Sequence, residues 1–165
     1  MIKMPLLGLF SYYWGVRPHQ GSQYWVQFTL WLSSLFFFTT WQGSLLQVGL
    51  IVWASQDWRE RRIAAVPLEF WSVLVAWPHW QPAVIGLVLG LSLGWISGGF
   101  GSGDAIIVAA LAGYFPLTAV LWVLLLACLS TLAHHYHHNE ATYPFAFHLA
   151  VGVQVWLWLS PLNLI

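Results

Sequence analysis

The chain holds only two aspartates, and each stands at the edge of an apolar run. Asp57 closes 44–56, while Asp104 follows Gly98-Gly99-Phe100-Gly101-Ser102-Gly103 and opens 105–115. A carboxylate beside hydrocarbon is costly because it loses hydration. A lone Asp opening a helix reads as an ordinary cap, held by free N–H groups and the helix dipole. Two aspartates at apolar edges, and no other aspartates, instead suggest a shared site. Held close in a partly dry pocket, they cannot both ionise cheaply, so one keeps its proton and the pair titrates as a unit. The charged member can take a proton from water while the neutral one donates to a carbonyl oxygen. That is the acid–base need of peptide hydrolysis without a covalent intermediate. The structural alternative makes Asp57 a solvated loop residue paired with Arg61 at little net value.

The elements that position these acids must be membrane helices. Of 165 residues, 59% are hydrophobic and 6% charged, with a mean hydropathy of +0.72. A soluble domain of this size cannot hide that much apolar side chain, so the expected solvent is lipid, around one domain spanning 1–165. Five basic residues balance five acidic ones, which leaves no electrostatic footprint for nucleic acid. The single cysteine, Cys128, lies inside an apolar run and excludes both an internal disulfide and a cysteine-based zinc site.

Apolar runs at 4–16, 24–41, 44–56, 66–80, 83–97, 105–115, 117–133 and 145–162 predict an all-α polytopic bundle of about eight crossings, some short. Tyr12, Tyr13 and Trp14 stand where a signal peptide would need small residues, so the first run reads as a helix. Gly86, Gly90, Gly94 and Gly98 recur every fourth residue and predict a flat face for close helix packing. With eight crossings, Arg17, Arg59, Arg61 and Arg62 share one side and Lys3 takes the other. The positive-inside rule then makes the arginine side cytoplasmic, with both termini outside. Asp57, Asp104 and the histidine cluster 134–138 fall on that same face.

Gly101-Ser102-Gly103-Asp104, with the Ala-Leu-rich helix after it, resembles the GxGD motif of the type IV prepilin leader peptidases. Asp57, followed by the basic Arg59-Glu60-Arg61-Arg62 and then Pro67, is similar to that family's first catalytic aspartate. Tyr143-Pro144-Phe145 resembles its late proline-phenylalanine motif. The resemblance covers roughly Asp57 to the C-terminus, with the motifs in the family's order. It implies an aspartic endopeptidase of the inner membrane, facing the cytoplasm, with Asp57 and Asp104 as the catalytic pair and no cofactor. Its partner would be a prepilin or pseudopilin precursor, cut just before its apolar helix. Gly101, Gly103, Pro144 and Phe145 would border the substrate. The family's lysine after the second aspartate is replaced here by Ala105-Ile106-Ile107, and its cysteine-rich segment is missing from 17–24, which implies cleavage without methylation.

Other marked residues carry two readings each. Glu60 and Glu140 are contacts for a basic leader or solvated side chains. Glu69 lines the cleft or is a structural hydrogen-bonded acid. His134, His135, His137 and His138 are an interfacial polar loop more readily than a metal site, since no acidic ligand set accompanies them. Rival functions are a small transporter or proton path using Asp57, Asp104 and Glu69, an assembly factor built on the glycine face, or an inactive relative of the peptidases.

Overall fold

Thr40 sets the start of the first helix in the computed structural model, which describes residues 40–98, 100–138 and 142–160. Its Oγ1 accepts the Gly43 N–H at 3.1 Å, satisfying one of the donors a helix start leaves open. Helix α1 (Trp41–Glu60) ends where Arg61 turns left-handed. Helix α2 (Ala65–Ala76) is joined through a 3₁₀ turn, Trp77–His79, to α3 (Trp80–Ser97). Gly98, at φ 65°, ends α3 in a conformation suited to glycine. Helices α4 (Ser102–Tyr114), α5 (Leu117–His138) and α6 (Phe145–Leu159) complete the described chain.

Helix α4 is the centre. From Ala105 to Gly113 every residue but Ile106 is buried, as expected of a helix apolar all round. Small residues let its neighbours close in. A Cβ on Gly86 would lie 2.6 Å from Ala112 Cβ, and one on Gly90 would lie 2.7 Å from Ala105 Cα. The predicted glycine face is therefore the α3–α4 seam. Gly103 sits against Leu68 and Gly113 against Ala76, so α2 runs parallel to α4 while α3 runs antiparallel. The stretch from α2 to α3 thus folds back at Trp77–His79. Gly152 brings α6 against the Val123 carbonyl of α5. Trp71 ties α2 to α1, its Nε1–H donating to the Leu45 carbonyl at 2.8 Å.

The expectation of about eight crossings is corrected here. Every described element is helical, yet only two stretches among the described residues are long and apolar enough to cross a bilayer, Ala65–Ser97 and Leu117–Tyr136. The 13 residues of α4 and 15 of α6 reach about 20 Å at 1.5 Å per residue, short of a ~30 Å hydrocarbon core. Their apolar sequences are explained by burial against protein. Helix α1 has the length, but it carries Gln42, Gln47, Gln56, Asp57, Arg59 and Glu60. The runs at 4–16 and 24–39, with Lys3 and Arg17, lie outside the described residues. With two stretches in place of eight crossings, the parity argument that set the arginine side and both termini no longer holds.

Candidate active site

Asp57 lies in the last turn of α1 and is buried. Its Oδ2 accepts the Ala146 N–H at 2.8 Å, across 89 residues of sequence. Pro144, the N-cap of α6, has no side-chain oxygen to offer, so a carboxylate from another helix performs the capping. Asp104, half-buried in the first turn of α4, accepts the Gly101 N–H at 3.0 Å through its Oδ2. Both carboxyls are thus held by backbone, each from a different helix end.

One cavity of about 690 Å³ is lined by both aspartates. Arg61 and Tyr143 add polar groups, while Leu93, Phe100, Leu124 and Phe145 supply apolar walls. Both acids lie outside the two stretches able to cross a bilayer. Burial pushes the Asp57 carboxyl above the usual carboxylate range, opposed by the Ala146 N–H, the Arg61 charge and the Phe147 N–H. Burial also pushes Asp104 up to about 7; the Gly101 N–H opposes this and the negative charge of Asp57 adds to it. Burial therefore raises both carboxyls, with the Arg61 charge opposing the rise at Asp57 and the Asp57 charge adding to it at Asp104.

The other sequence-marked residues divide. Gly101 and Phe145 line the cavity, and Pro144 caps the helix that Phe145 opens. Gly103 instead packs toward Leu68 and Ile63. Glu60 is exposed and accepts from Gln56 Nε2 at 3.1 Å. Glu69 is exposed on a separate groove with Ser72, Val73 and Leu91, so it does not line the cleft with the aspartates. Glu140 lies outside the described residues.

His134 belongs to the packing behind Asp57. It stacks on Trp58 with ring centroids 5.3 Å apart and 16° between planes. Its Nδ1 lies 3.1 Å from Nε2 of His148, whose Nδ1 meets the Ser130 hydroxyl. Sequence reading passed over the buried His148, although one imidazole in an apolar helix was the available signal. Phe100, Thr131, Thr142 and Tyr143 were also passed over as cavity residues. Arg61 was seen only as a surface partner, though its place four residues after Asp57 puts it on the same face. No family model, curated protein or solved structure matches this chain.

Proposed function

We propose that this protein is a membrane-embedded aspartic endopeptidase that removes the leader of type IV prepilin-like or pseudopilin precursors at the cytoplasmic face of a multi-pass inner-membrane domain. The observation that carries the reading is one cavity lined by the chain's only two aspartates, one buried and one half-buried. In the reaction, charged Asp57 takes a proton from a water as its oxygen attacks the scissile carbonyl carbon. Neutral Asp104 gives its proton to the carbonyl oxygen. The tetrahedral intermediate collapses when the proton on Asp57 passes to the departing amine and Asp104 recovers its own. The apolar walls suit the start of a hydrophobic helix.

Co-expression with a pilin-like precursor tests this directly. Leader removal is expected from the native chain and a loss of about a hundredfold or more from either Asp57→Asn or Asp104→Asn, because Asn keeps the shape without the proton. Cleavage that survives both changes rejects the pair.

A further inference from the structure

Arg61 holds φ 53° and ψ 24°, and no other non-glycine among the described residues has a positive φ. The left-handed region disfavours a residue with a Cβ, so its surroundings must impose it. Here the turn keeps the side chain at the site. The Arg61 N–H donates to the Asp57 carbonyl at 2.9 Å. Its guanidinium carbon sits 5.7 Å from the centroid of the Trp58 ring, and the side chain lines the cavity with both aspartates. Arg59 and Arg62, on either side, are exposed.

We propose that Arg61 is the positioning residue of the pair, its guanidinium holding Asp57 as the charged member so that the shared proton stays on Asp104. The proposal rests on the peptidase reading for its purpose, though not for its electrostatics. Arg61 adds its charge to the Ala146 and Phe147 N–H groups, which also favour the charged form of Asp57. Helix α4 contributes Asp104, α5 contributes Cys128, and the segment before α6 contributes Tyr143. His134 packs on Trp58 and His148 on Phe147, and the two rings meet at 3.1 Å; His148 also meets the Ser130 hydroxyl and feels the Arg61 charge. Arg61 is the only basic side chain among the described residues that line the cavity. A guanidinium stays charged at every working pH. Without it, only the Ala146 and Phe147 N–H groups are left to keep the shared proton off Asp57.

Because the chain has only two aspartates, aspartate labelled with ¹³C at Cγ gives two carboxyl resonances in the full-length protein in detergent. Asp57→Asn and Asp104→Asn assign them. Arg61→Gln is expected to move the Asp57 titration to higher pH and the Asp104 titration to lower pH. Arg61→Gly, which removes the charge yet accepts the left-handed backbone, should do the same, and Arg61→Lys should restore the native order. In the cleavage assay, Arg61→Gln should narrow the pH profile from both sides, losing on the order of tenfold at its acid edge and falling off at lower pH on its alkaline edge. Unmoved resonances in Arg61→Gln and Arg61→Gly overturn the proposal, as does a lysine variant that titrates like the glutamine one. A native chain that cleaves no precursor, with resonances that shift as expected, defeats the peptidase reading and leaves the role of Arg61 standing.

Discussion

Asp104 keeps its proton to about pH 7 because burial and the charge of Asp57 outweigh the Gly101 N–H. The neutral acid is the form that donates, so cleavage is expected to fall as pH rises through about 7. A pH–rate profile of the native chain in detergent checks this; a rate still rising well above that point assigns the donor elsewhere. The sign for stability is separate. In the unfolded chain Asp104 ionises near the ordinary value of about 4. Between there and about 7 the folded state binds the extra proton, so raising pH through this window weakens the fold. Asp104→Asn should flatten that slope in denaturation curves. This acid was legible in the sequence because glycines, an acid and an apolar run adjoin one another. The partner of Asp57 was not: it is the backbone N–H of Ala146, and every residue but proline has one.

At the scale of elements, the position of Asp104 depends on the α3–α4 seam. A Cβ on Gly90 meets backbone, Ala105 Cα at 2.7 Å, which cannot rotate away as a flexible side chain would. Gly90→Val is therefore expected to destabilise by about 1–3 kcal/mol and to reduce cleavage by moving the helix that carries the acid. Ser92→Ala, at an exposed position on the same helix, should stay within about 0.5 kcal/mol. Thermal unfolding in detergent and the cleavage assay together read both changes. The seam was legible because a four-residue glycine repeat marks one helix face. The end of α1 was not, since a left-handed residue is usually signalled by glycine or asparagine and here it is Arg61. The crossing count went wrong for another reason: burial in protein and burial in lipid select the same side chains, so α4 and α6 read as crossings when protein covers them.

At the scale of the whole molecule, the outward faces of α2 and α3 remain apolar. Val66, Phe70, Trp77, Trp80, Val88, Trp95 and Ile96 are all exposed. So much uncovered hydrocarbon suits lipid better than water. The chain should accordingly stay in the membrane pellet through an alkaline carbonate wash of cells expressing it; release into the supernatant would remove the bilayer from the reading. The link between Asp57 and the last described helix also bears on biosynthesis. Asp57 leaves the ribosome 89 residues before the amide it caps. A nascent chain therefore carries this acid before its backbone donor has been made. The helix end that Asp57 caps is thus completed only late in translation.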